Sequence, residues 1–170
     1  TLAMNEAQIL AATHDNVAAV RIVGRASFKV SEPLREFGIK AIREGMGSII
    51  FDLSECKGMD STILGVLAMI GLEGRDSAQI IVLNASKPMR DALEVVGVSR
   101  LCHFGEGPAD TGSWKQIAEA AAGATDTEEV AGTILEAHRT LMHLDEGNVP
   151  KFKDVVELLE SEVNSNEETE

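Results

Sequence analysis

The sequence predicts an α/β fold: a mixed β-sheet that opens with an antiparallel hairpin, continues through parallel βαβ units with helices packed on the sheet, and carries a helical extension at its C-terminal end. Three observations predict it. Two apolar segments flank the turn pair Asp15-Asn16. Beyond them, short apolar runs alternate with helical patterns, an order that implies parallel pairing. After residue 105 the strand signals stop and two amphipathic helical patterns appear.

Residues 7–13 and 17–24 read as two strands. In the second, apolar side chains fall on both faces, as expected of a central strand. Ser31-Glu32-Pro33 opens a helix, with Ser31 as N-cap, Pro33 in the first turn and an apolar stripe of Leu34, Phe37, Ala41 and Ile42; Gly45 or Gly47 ends it. Ser48 to Leu53 is a short buried strand. Ser54 to Lys57 forms an acidic, polar turn, and Met59-Asp60-Ser61-Thr62 opens a strongly apolar helix that runs to about Arg75. Gln79 to Leu83 is a strand, and Lys87 to Val96 a helix that starts at Ser86-Lys87-Pro88 and closes near Gly97. Residues 105–126, rich in Gly and Ala, read as a loop with a short helix around Trp114 to Ala122. Residues 127–144 and 151–163 have helical spacing, the latter with Phe152, Val155, Val156, Leu159 and Val163 on one face. The organisation is therefore a domain over residues 1–104, an acidic helical extension over 105–165 and a disordered tail over 166–170.

Composition excludes several functions. Of the net charge of −13, residues 1–105 carry about one negative charge and residues 106–170 carry twelve. A near-neutral body with an acidic extension argues against nucleic acid and against anionic membranes. The longest apolar stretch, Ile63 to Leu72, is too short to span a bilayer, and no signal peptide is evident. Two cysteines, Cys56 and Cys102, make no disulfide framework, and a reducing, cytoplasmic setting is expected. No metal site is expected: His138 and His143 are five apart and lie on different faces of a helix. No phosphate loop, no elbow serine and no paired base and nucleophile are present, so neither an enzyme nor a cofactor is expected.

The stretch Asp52 to Leu67 carries the strongest functional signal. Ser61 lies in the first turn of a helix, where amides lack intrahelical partners and the helix dipole is positive. A phosphate can be held there. Two readings of Ser61 stand side by side: an N-cap, sharing that work with Asp60 or Thr62 and stabilising by about 1 kcal/mol, or a hydroxyl displayed for modification. Gly65, Gly71 and Gly74 mark close helix–sheet packing or, alternatively, a ligand groove.

The Asp-Leu-Ser…Met-Asp-Ser-Thr…Leu-Gly-Val-Leu pattern of Asp52 to Leu67 resembles the STAS domain of bacterial anti-sigma factor antagonists. Residues 81–90 look like that family's strand-to-last-helix passage, and Leu93 to Leu101 like its closing stretch. The resemblance covers roughly residues 5–104. It implies a non-catalytic, partner-switching module in transcription regulation that binds an anti-sigma factor or related serine kinase. Carried over, Ser61 is the phosphoacceptor, Asp60 its neighbour and Thr62 an auxiliary hydroxyl. Partner contacts are then expected at Asp60, Ser61, Thr62, Ile63 and the neighbouring loop with Gly24, Arg25 and Ser27. Two departures are visible. Ile63 stands where many relatives carry glycine, and Gly24-Arg25-Ala26-Ser27-Phe28 lacks an expected aspartate. Both favour the alternative, a STAS-like scaffold or subunit of a transport or multi-protein assembly without phosphorylation. His103 to Gly107 replaces the strand or helix expected after Leu101. The apolar stripe of the extension must be buried on the body or on a partner, which makes a homodimer through the C-terminal helices a further expectation.

Overall fold

The computed structural model describes residues 7–109, 112–119 and 127–168. Among the described residues, seven strands form one sheet in the order β6-β5-β3-β2-β1-β7, with β4 pairing β2 off this path. Strands β1 (Gln8–His14) and β2 (Val17–Ala26) form the expected antiparallel hairpin, with His14 opposite Val17. Asp15 takes positive φ in the turn, a conformation that aspartate tolerates better than most residues. Strands β3 (Ser48–Asp52), β5 (Gln79–Leu83) and β6 (His103–Gly105) add to β2 in parallel.

Three strands differ from the sequence expectation. The end of the segment read as an acidic turn, with Gly58 and the Met59 expected to open the helix, is β4 (Cys56–Met59), which pairs with the far end of β2 across a register shift at Gly24/Arg25. Gly24 has φ of +79° there, a backbone that strains any residue with a Cβ. The region from Gly24 to Ala26, expected as loop, is therefore strand. His103–Gly105 is a strand after all, bonded to the edge of β5. Lys115–Glu119, expected as part of a helix, is β7, paired antiparallel with β1 at the other edge; residues 120–122 of that expected helix lie outside the described residues.

Helices α1 (Ser31–Arg43), α2 (Ser61–Glu73) and α3 (Lys87–Val95) fall close to their predicted positions. Val30, not Ser31, occupies the N-cap of α1; Ser31 is buried and its hydroxyl donates to the Phe28 carbonyl. Ser86 caps α3 as expected. The extension folds as α4 (Thr127–Leu144) and α5 (Val149–Glu168), joined by a 3₁₀ turn at Glu146–Asn148. The backbone of α5 is helical to Glu168, past the start of the expected disordered tail at 166; residues 169 and 170 lie outside the described residues.

The core is aliphatic, with Phe51 its one aromatic among the largest fully buried side chains of the described residues. Ala137 and Leu141 of α4 belong to the same buried cluster as Ile9, Val20, Ile49, Ile63 and Val66. Extension and body therefore share one core. Helix α2 is buried from Thr62 to Ala68 without interruption. A helix that is apolar on every side needs cover on every side, and α4 supplies part of it, over Ser61 and Gly65.

Candidate functional site

The site is built around the first turn of α2. Asp60 is the N-cap: one carboxylate oxygen accepts from the Ile63 amide at 2.9 Å, and the other from the Phe28 amide at 2.9 Å. The Asp60 amide donates in turn to the Ala26 carbonyl at 3.0 Å. A single side chain thus caps the helix and ties it to the end of β2. This brings Met59–Ser61 and Arg25–Phe28 together, as the sequence leads one to expect. It also removes the capping role from Ser61, which is the first residue of the helix proper.

The hydroxyl of Ser61 goes elsewhere. Its Oγ lies 2.8 Å from Nε2 of His138, in α4. The other ring nitrogen, Nδ1, is 2.7 Å from the Ile134 carbonyl oxygen. A carbonyl only accepts, so Nδ1 carries a proton. In the neutral ring Nε2 is then the acceptor and Ser61 the donor, a tautomer assigned from the hydrogen-bond partners. His138 is 4% exposed and meets Phe152 of α5 edge-on, with centroids 5.2 Å apart.

Ser61 is accordingly half-buried under the extension instead of displayed to solvent. One turn further along the same face, Gly65 meets the backbone of α4. A Cβ at Gly65 would stand 2.4 Å from the Ala137 carbonyl oxygen. The close packing expected at Gly65 is therefore helix-on-helix, not helix-on-sheet. Gly71 and Gly74 pack against Leu101 and Ile42.

The other residues expected to meet a partner divide by exposure. Ile63 is 0% exposed and Thr62 4%, so neither side chain can reach a partner in this conformation. Gly24 is buried as well, whereas Arg25 is exposed and Ser27 and Asp60 are half-buried. Phe28 adds an apolar side chain at 40% exposure beside Asp60. Sequence spacing singles out His138 only as a metal ligand to be excluded; it and the exposed His143 do lie on different faces of α4.

A second polar cluster lies at the C-terminal end of β3. Asp52 is buried, and accepts from Arg21 Nε at 2.9 Å, Asn84 Nδ2 at 3.1 Å and the Ser54 amide at 3.0 Å. Burial pushes its carboxyl up, but the hydrogen bonds from Asn84, Ser54 and Arg21 outweigh burial and hold it below the ordinary carboxylate value. The Arg21 guanidinium also stacks on Trp114 at 4.4 Å, and Asn84 bonds both ways with Gly107. These contacts fasten Gly107 and Trp114 to the sheet. Every group in the cluster is satisfied within the chain, which makes it structural.

No group of His, Cys, Asp or Glu among the described residues could hold a metal ion. No helix among them is long and apolar enough to cross a membrane.

Comparison with known proteins decides the family. The family model described as "Mlab, STAS domain" matches residues 9–103, more than half of the chain. The chain belongs to the STAS family. Among solved structures, this STAS chain is similar to the anti-sigma factor antagonist SpoIIAA in its unphosphorylated form, at a TM-score of 0.53 and 19% identity over 60% of this chain and 90% of that one. It is similar to the phosphorylated form of SpoIIAA, the Bacillus cell fate determinant, at 0.51 and 21% identity, over 61% and 93%. A putative anti-sigma factor antagonist from Thermotoga maritima matches at 0.51 and 14% identity, over 58% and 86%. At these identities the likeness is one of fold. No curated protein sequence matches the chain.

Proposed function

We propose that this STAS chain is a non-catalytic signalling module that binds an anti-sigma factor or related serine kinase and is switched by phosphorylation of Ser61. The supporting observation is the division of labour between Asp60 and Ser61. Asp60 alone caps α2, which leaves the neighbouring hydroxyl unused by its own helix. Phosphate there would meet the positive end of the helix dipole, so the scaffold tolerates it. Transfer forms an Oγ–P bond as the bond from the γ-phosphorus of ATP to the departing ADP breaks, and the hydroxyl proton passes to water. The partner surface is Arg25, Ser27, Phe28 and Asp60, the accessible part of the joined β2 end and α2 start, joined by Ser61 once the extension no longer covers it. That SpoIIAA, similar in fold, is described in unphosphorylated and phosphorylated forms is consistent with this reading.

The second reading is a STAS subunit of a transport or multi-protein assembly that is never phosphorylated. The Ser61–His138 bond and the cover that α4 places on α2 favour it. Phosphopeptide mass spectrometry on the full chain, isolated from its source cells and also treated with their extract and ATP, separates the two. Phosphate on Ser61 that is lost in Ser61→Ala supports the switch. Phosphate absent from Ser61 under both conditions supports the assembly reading.

A further inference from the structure

Three features of the contact between Ser61 and α4 bear on how a switch at Ser61 would work. The open side of the hydroxyl is filled: Nε2 of His138 stands at hydrogen-bond distance, and the ring is itself fixed by the Ile134 carbonyl behind it and by Phe152 at its edge. Helix α4 is also packed close against the next turn of α2. Its backbone at Ala137 sits on Gly65, one turn from Ser61, at a distance that only a glycine permits. Polar ties between α4, the turn after it and the body include two ion pairs and two hydrogen bonds from buried residues, Thr133 and Asn148. Arg35 meets Glu136 at 3.2 Å, Arg100 meets Asp145 at 2.7 Å, Thr133 donates to Glu32, and Asn148 donates to the Val96 carbonyl at 2.9 Å. The two ion pairs are solvent-exposed and therefore individually weak.

Taking Ser61 as the phosphoacceptor proposed above, we infer that α4 is an intramolecular lid on the Ser61 face of α2, and that a docked lid and an anion on Ser61 exclude each other. With the lid down, the acceptor hydroxyl and the α2 face beneath it are withheld from a kinase and from a partner. A phosphoryl group adds three oxygens where only an imidazole edge fits. It also adds about −1.5 to −2 charge to a chain whose net charge is already −13. His138 stands where the group would go and must move to admit it. Modification thus stabilises the lid-open form and exposes α2, while the sheet and α2 keep their packing through residues that the lid does not touch.

Hydrogen–deuterium exchange on the full chain tests this without a kinase. The forms compared are wild type, Ser61→Ala, Ser61→Glu and Gly65→Ala, with the amides of β2, β3 and β5 as the internal measure of an intact body. In Ser61→Ala, α4 stays protected to within a few-fold of wild type. In Ser61→Glu and Gly65→Ala, α4 amides exchange roughly tenfold faster or more while the sheet is unchanged. Equal α4 protection in Ser61→Glu and Ser61→Ala overturns the lid, and does so even if Gly65→Ala fails to fold. So does loss of α4 and sheet protection together in Ser61→Glu, because the extension is then an inseparable part of the core. The phosphopeptide experiment is independent. A lid that opens with Glu at position 61, in a protein that never carries phosphate there, overturns the modification and sustains the lid. A lid unmoved in a protein that does carry phosphate overturns the lid and sustains the modification.

Discussion

Replacing Gly65 by alanine isolates the docking of α4 from everything else in the fold. The new Cβ would lie 2.4 Å from the Ala137 carbonyl oxygen, 2.6 Å from its Cβ and 2.7 Å from its carbonyl carbon. Two of the three are backbone atoms, so no rotamer change relieves the overlap and α4 must shift as a body. Overpacking of this kind costs about 1–3 kcal/mol. Within α2 itself the same substitution is favourable by about 0.8–1 kcal/mol, because alanine is the better helix former. The two effects fall on different events: the gain belongs to α2, and the loss to the contact with α4. Global stability should therefore fall by no more than about 2 kcal/mol, a shift of roughly 2–4 °C in Tm per kcal/mol for a chain of this size. The free energy of opening α4 should drop by the larger figure. Calorimetry paired with hydrogen exchange measures both. A Gly65→Ala protein with raised Tm and undiminished protection of α4 would refute the close approach of the two helices. Gly132→Ala is the companion control: that glycine is exposed on α4 with nothing within 4 Å of its added Cβ, so the change should raise stability by up to about 1 kcal/mol.

The same geometry sets three other expectations. Asp60→Ala removes the cap of α2 and the tie to Phe28 together, and should lower stability by about 1–2 kcal/mol in urea melts, with the largest rise in exchange at the amides of Phe28 and Ile63. Asp52, held below its ordinary value in the folded chain, contributes stability above the unfolded carboxylate range near 4 and loses it as pH falls through the lower folded value. The stability difference between wild type and Asp52→Asn should be present at neutral pH and shrink in acid; a difference independent of pH contradicts the assignment. Burial pushes the Cys102 thiol up to about 11, so it should react slowly with a thiol reagent at neutral pH and speed up on unfolding in urea.

Much of the body is legible in the sequence because its elements carry two independent signals each. The β1–β2 hairpin has both its turn residues and its apolar segments, and α3 has both Ser86 and Pro88 at its start. What escapes has only one signal or none. Cys56–Met59 has no alternation and little strand propensity; it is a strand because β2 runs on past its bulge and offers unpaired backbone to it. Lys115–Glu119 is composed largely of helix formers and is drawn into the sheet by the free edge of β1, tertiary pairing overriding local preference. The cover on Ser61 does leave a trace. A helix apolar from Thr62 to Ala68 on all sides needs a neighbour on the side the sheet cannot reach, and the apolar stripe of α4 needs such a surface. Gly65, four residues after Ser61, marks where a backbone comes close. The residue that pairs with Ser61 is beyond sequence reasoning, since 77 positions separate it from His138 and nothing local connects them.

The most direct test compares phosphate incorporation at Ser61 in wild type and Gly65→Ala, both full-length, exposed to source-cell extract and ATP and monitored by quantitative mass spectrometry. The predicted result is phosphate at Ser61 in both proteins, arriving faster in Gly65→Ala, where α4 no longer shields the hydroxyl. Absence of phosphate from Ser61 in both, with the sheet of each protein intact, would contradict a switch at this residue.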